Sequence, residues 1–169
     1  VNATTKKIKK ITLPRPGHAD LAGVQKFGFT DIRNVIERSS ARETAMRVAI
    51  GSICRKLLQE IGVEIGSRVI QIHNVMDNSK IDLNKGATLI SMTADKSDVR
   101  CIDKTKSKAM RKRIDVAKKT GDSVGGKFEV FATGVPIGLG SYSQWFDKLQ
   151  SKIAESIMSI IVLSHNDIS

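Results

Sequence analysis

The sequence predicts an α+β domain, and three observations carry that prediction. Three stretches place apolar residues at helical spacing, two others alternate or run as short apolar strands, and turn residues separate them. No stretch reads as a linker between two domains, and no internal repeat or low-complexity tract interrupts the pattern. The whole of 1–169 is therefore read as a single domain.

The elements follow in order. The opening "TTKKIKKITL" alternates weakly and reads as an exposed strand or arm leading to Pro14. After "PRPGHADLAG", Thr30 is the expected N-cap of a short helix from Asp31 to about Glu37. Ser39 and Ser40 interrupt, and a longer helix runs to about Ile61, with Gly62 as its stop. In that helix Ala45, Ala49, Ile53, Leu57 and Ile61 recur every four residues, beside a second row of Met46, Ile50, Cys54 and Leu58. Two adjacent apolar rows predict a broad buried face and a central helix. "VEIGSRVIQIHNV" reads as one or two strands, and "MDNSKIDLNKG" as a loop. A basic amphipathic helix is expected from about Thr105 to Lys119, with Met110, Ile114 and Ala117 as its narrow apolar stripe. "GDSVGG" turns the chain, "KFEVFATGVPIGLG" is a strand entering a Gly/Pro loop, and "FDKLQSKIAESIMSI" is a final helix.

Composition bounds the function. Hydrophobic residues make up 40% of the chain and charged residues 27%, a globular balance, while aromatics are only 4%, so the core must rest on aliphatic side chains. The longest apolar run, "IMSIIVL", is too short to span a bilayer, and the basic start "VNATTKKIKK" is not followed by the apolar segment of a signal peptide. Cys54 and Cys101 sit in apolar settings and read as free thiols in a reducing, cytoplasmic compartment. The net charge of +11 calls for an anionic partner without naming it. The basic helix "KAMRKRIDVAKK" has no interleaved aromatics for stacking on single strands and reads as a solvated face, so neither nucleic acid nor membrane is expected as a partner.

Two segments carry candidate chemistry. In "ERSSARET", Ser40 and Glu43 have the spacing of a capping box that starts a helix at Ala41. A helix N-terminus exposes unpaired N–H groups and attracts anions. Arg38 and Arg42 flank this start, and an arginine in a first turn is electrostatically disfavoured unless an anion offsets it. The alternative is an ordinary cap with solvated arginines. In "PRPGHAD", Pro14 and Pro16 stiffen the chain and Gly17 permits a tight bend, so Arg15 and His18 stand on a fixed loop. An imidazole suits proton transfer near neutrality. Taken alone, the loop fits a structural histidine, paired with Asp20 or a backbone carbonyl, better than a catalytic one. The glycines of "GVPIGLGSY" suggest unusual backbone angles but lack a dinucleotide fingerprint. No His, Cys, Asp or Glu cluster has metal-ligand spacing, and His73 and His165 read as bland.

The order of these pieces resembles a known family. "RPGHADLAGVQKFGFTDIRNVIERSSARETAMRVAIG" is similar to the central signature of chorismate synthase, and "VRCID", "AKKTGDSVGGKFEVFATGVPIGLGSY" and "IAESIMSI" continue the likeness over roughly 9–160. The resemblance implies a sandwich of helices between antiparallel sheets, typically a homotetramer. It implies the last step of the shikimate pathway: 1,4-anti elimination of phosphate from 5-enolpyruvylshikimate 3-phosphate to give chorismate. The family requires reduced FMN, some members reducing it with NADPH themselves, although the reaction has no net redox change. By the family pattern His18 is the general acid toward the departing phosphate, and Arg15, Ala41 and Arg42 are the substrate-binding residues. Arg38, Ser39 and Ser40 match the FMN-contacting segment. A Gly-Glu-Ser-His motif that supplies a second histidine, and a C-terminal part with further FMN contacts and an aspartate, have no counterpart here. The chain therefore reads as the family's central part, expected to be inactive alone. A non-catalytic module binding flavin or nucleic acid is the alternative.

Overall fold

A computed structural model describes residues 9–39 and 42–160. It is a mixture of helices and one small antiparallel sheet, as the sequence predicts. The chain forms two compact units, Cys54–Leu139 and a second drawn from Val1–Ile53 and Gly140–Ser169.

The unit that holds the N-terminal candidates begins with an irregular arm. Its predicted strand character falls partly on 1–8, outside the described residues; 9–12 are not a strand. The Ile32 N–H donates to the Ile11 carbonyl at 2.9 Å, and the Ile11 N–H donates to Asp31 Oδ1 at 3.2 Å, which fastens the arm. Helix α1 (Asp20–Phe27) ends at Gly28, whose φ of 65° is the left-handed stop that glycine adopts without strain. Helix α2 (Arg33–Arg38) packs on α1 where Gly23 leaves room: a Cβ there would stand 2.5 Å from Val35 Cγ1. The start of α2 differs from expectation. Asp31, rather than Thr30, supplies the local acceptor, taking the Arg33 N–H at 3.0 Å in the Asx turn that an aspartate makes with the backbone two residues on. Helix α3 (Arg42–Glu60) stops just before Gly62 as predicted, and its expected start at Ala41 lies outside the described residues. Its two apolar rows are not buried: Met46, Ile50, Ile53, Leu57 and Ile61 are all more than half exposed, so the broad buried face is not formed within these residues. Helix α6 (Leu149–Met158) closes this unit, and Arg47 Nη1 of α3 donates to Ser159 Oγ at its end, at 2.9 Å.

The other unit is built on a three-stranded sheet of β1 (Glu64–Ile72), β2 (Val75–Met76) and β3 (Gly126–Thr133), in the order β2-β1-β3, all antiparallel. Helix α4 (Ala87–Ala94), which the sequence pattern leaves unassigned, docks on one face of it. Glu64 Oε2 accepts the Thr88 N–H at 2.9 Å and Thr133 Oγ1 accepts the Ala87 N–H at 3.2 Å, so sheet side chains satisfy the helix start. Gly66 is required there, since a Cβ would overlap the Ala87 carbonyl oxygen. Helix α5 (Lys104–Thr120) is capped by Asp103, which accepts from the N–H groups of Thr105 and Lys106 at 2.7 and 2.9 Å. Its predicted stripe is the observed one: Met110 is fully buried with Val99 and Cys101, and Val69, Ile72, Val75 and Ile114 pack around them.

One buried polar cluster crosses this unit. Arg68 on β1 pairs with its cross-strand partner Glu129 and lies 3.9 Å from Asp77. Desolvation pushes the Asp77 carboxyl up, but hydrogen bonds from Ser79, Cys101 and Asp103 outweigh it and leave its pKa lowered. Burial and the Asp77 carboxylate together push the Cys101 thiol up to about 11, so it stays protonated and inert at neutral pH. Both cysteines are free, Cys54 exposed and Cys101 buried.

Candidate active site

The "PRPGHAD" loop is held by a single carboxylate. Asp20, the first residue of α1, is completely buried. Its Oδ2 accepts the Arg15 backbone N–H at 3.0 Å and Arg15 Nε at 2.9 Å, and its Oδ1 accepts Arg15 Nη2 at 2.9 Å. This is the planar fork that guanidinium and carboxylate make when both edges align. Gly17, at φ 72°, reverses the chain between the two partners, a conformation that costs glycine little. The Arg15 hydrogen bonds lower the Asp20 pKa to about 2, so the clamp is ionised throughout the physiological range. The Asp20 hydrogen bond in turn raises the Arg15 pKa.

His18 stands at the tip of this closed loop. It is exposed and makes no hydrogen bond among the described residues. Among the described residues no hydrogen bond joins His18 to Asp20 or to a carbonyl; the hydrogen bonds that Asp20 accepts come from Arg15 instead. The closed loop places the His18 backbone, and neither ring nitrogen is hydrogen-bonded among the described residues. Arg15 is half-buried, with its Nη1 edge unpaired among the described residues.

The second candidate segment lies at the end of α2 and the start of α3. Arg38 is exposed and makes no ion pair or hydrogen bond among the described residues. Ser39 closes α2, donating both its N–H and its hydroxyl to the Val35 carbonyl, at 2.8 and 2.7 Å. Its hydroxyl oxygen is left as an acceptor. Ser40 and Ala41, and with them the Ser40 half of the capping box, lie outside the described residues. Glu43 engages Arg47 at 3.5 Å, one turn on. Arg42 opens α3 and pairs with Glu37, so a carboxylate of the preceding helix already offsets part of the unfavourable placement of its charge. No hydrogen bond or ion pair joins Arg15 or His18 to Arg38 or Ser39 among the described residues.

Sequence reasoning missed Asp20 as the partner of Arg15. The available signal was a buried-type position opening a helix, where a carboxylate favours the positive end of the dipole.

The family described as chorismate synthase matches residues 2–164. The chain belongs to the chorismate synthase family. A chorismate synthase of Listeria welshimeri serovar 6b is 50% identical over 154 residues, covering 91% of this chain and 39% of that protein. Those of Chlorobium phaeovibrioides and Alkaliphilus metalliredigens are 50% and 51% identical over 157 and 152 residues, covering 90% of this chain in each case and 40% and 39% of those proteins. A crystal structure of a chorismate synthase superposes with a TM-score of 0.76 at 40% identity, covering 87% of this chain and 46% of that one. The chain thus spans about two fifths of the length of the curated chorismate synthases it matches. Among the described residues no helix is long and apolar enough to cross a membrane.

Proposed function

We propose that the protein carrying this chain is a chorismate synthase: a lyase that eliminates phosphate from 5-enolpyruvylshikimate 3-phosphate in the last step of the shikimate pathway. The observation that carries the reading is the Arg15–Asp20 loop. It offers an anion-binding guanidinium edge and an unpaired imidazole three residues apart, within a chain of the chorismate synthase family.

In this reading Arg15 binds an anionic group of the substrate through its Nη1 edge, and Ala41 and Arg42 are further substrate-binding residues. His18 donates a proton to the departing phosphate, which lowers the charge on the leaving group as the C–O bond breaks. Arg42 keeps its charge close to the substrate while Glu37 holds its side chain in place. The segment of Arg38, Ser39 and Ser40 would hold FMN. A guanidinium at Arg38, unpaired among the described residues, suits a flavin phosphate, and the Ser39 oxygen can accept but not donate, its proton being committed to Val35. Reduced FMN, when bound, supplies the transient electron density that helps phosphate leave. The net charge of +11 suits a protein whose substrate and cofactor both carry phosphate. A cytoplasmic homotetramer, its flavin reduced either by its own use of NADPH or by an external source, completes the proposal.

The test is direct. The complete protein, given reduced FMN and 5-enolpyruvylshikimate 3-phosphate under anaerobic conditions, releases one phosphate per chorismate formed. Substrate left unconverted by folded, flavin-loaded protein overturns the reading.

A further inference from the structure

We infer that Asp20 is a positioning residue for the anionic substrate: it orients the Arg15 guanidinium and, by closing the loop, sets where His18 stands. The inference rests on the proposed function.

The geometry carries it in three steps. Arginine has five N–H donors in a rigid plane. Asp20 takes the Nε donor and one Nη2 donor, which fixes that plane and leaves the two Nη1 donors and one Nη2 donor directed away from the carboxylate. Rotation of the guanidinium about its last bond would break both hydrogen bonds at once. Asp20 itself cannot drift, because it is fully buried in the first turn of α1 and anchored by the Arg15 backbone N–H as well. Side-chain and main-chain contacts together make Arg15–Asp20 a closed ring of six residues, with Gly17 at φ 72° turning the chain and His18 on the exposed side. Neutralising the carboxylate removes one acceptor of the fork and the charge that faces the guanidinium. Arg15 keeps its own charge but loses its fixed direction, and the loop loses its closure.

A residue that only supports folding lowers stability without changing how the substrate is held. A positioning residue shares its effect with the group it positions, and the two substitutions are then not additive. The experiment is a double-mutant cycle in the complete protein, with reduced FMN, using Asp20→Asn, Arg15→Lys and the double variant. Asparagine preserves shape, and lysine preserves charge but cannot make the fork. Asp20→Asn is expected to raise KM for the substrate by about as much as Arg15→Lys, roughly 10- to 100-fold, as for a lost charge-assisted hydrogen bond. The double variant should be within about threefold of the worse single one. FMN affinity should hold within about twofold. If the two losses multiply, or Asp20→Asn lowers Tm while KM stays within about threefold, the inference is overturned. A parallel titration with inorganic phosphate separates the outcomes. Should the wild-type protein form no chorismate, the proposed function fails, and the clamp is still judged by phosphate. Equal weakening of phosphate binding by Asp20→Asn and Arg15→Lys supports it, and unchanged binding in Asp20→Asn refutes it.

Discussion

Replacing Gly134 with alanine should be among the most destabilising single-methyl additions in the chain. Gly134 follows β3 and has φ 72°, the left-handed region, where an L residue costs about 1–2 kcal/mol. A Cβ there would also overlap the backbone oxygen of Gly62, the glycine that ends α3. A carbonyl cannot swing aside like the end of a long side chain, so the main chain must shift, at a cost of about 1–3 kcal/mol. The two effects give roughly 2–5 kcal/mol. At about 2–4 °C per kcal/mol for a domain of this size, Tm should fall by roughly 4–20 °C. Gly138 is the control: its φ is 86°, but a Cβ would meet nothing within 4 Å. Gly138→Ala should therefore carry only the backbone cost of about 1–2 kcal/mol. Urea denaturation of both variants, with unchanged m-values, measures the difference. Equal destabilisation would show that the Gly62 contact does not constrain this loop and would refute the reasoning.

Thiol reactivity should split the cysteines. Native protein is expected to titrate one fast thiol, the exposed Cys54, whereas Cys101, buried and raised to about 11, reacts only on unfolding; two fast thiols would contradict its burial. The Asp20 clamp should be sensitive to acid alone. Its folded-state pKa of about 2 lies below the ordinary carboxylate value, so its stabilisation is complete above about pH 5 and is lost as pH falls through 2. Wild type should thus lose most of its stability advantage over Asp20→Asn between about pH 5 and 2, and an advantage undiminished at pH 2 would contradict the clamp.

The sequence made some of this architecture legible. The α5 stripe of Met110, Ile114 and Ala117 was readable because a helix against a core must show its period: Met110 and Ile114 pack in the core cluster and Ala117 is buried. The end of α3 was readable from Gly62, and the end of α5 from the "GDSVGG" turn, which opens on Gly121 at φ 70°. Helix α4 was not, because Gly86 starts it without a side-chain cap and its supporting hydrogen bonds come from distant Glu64 and Thr133. The exposed rows of α3 mark the opposite failure: periodicity says which face is apolar, but not what covers it. At the candidate site, adjacency in sequence suggested Asp20 for His18. The turn at Gly17 instead brings Asp20 back to Arg15, a five-residue separation that no period or motif announces.

The central claim is that His18 gives its proton to the departing phosphate, and one comparison tests it most directly. Chorismate formation is followed in the complete protein with reduced FMN, wild type against His18→Ala, with FMN affinity measured in parallel. A general acid contributes about 10²- to 10⁴-fold, so kcat should fall by at least about 100-fold while FMN affinity stays within about threefold. A His18→Ala enzyme that turns over within about threefold of wild type would contradict the account.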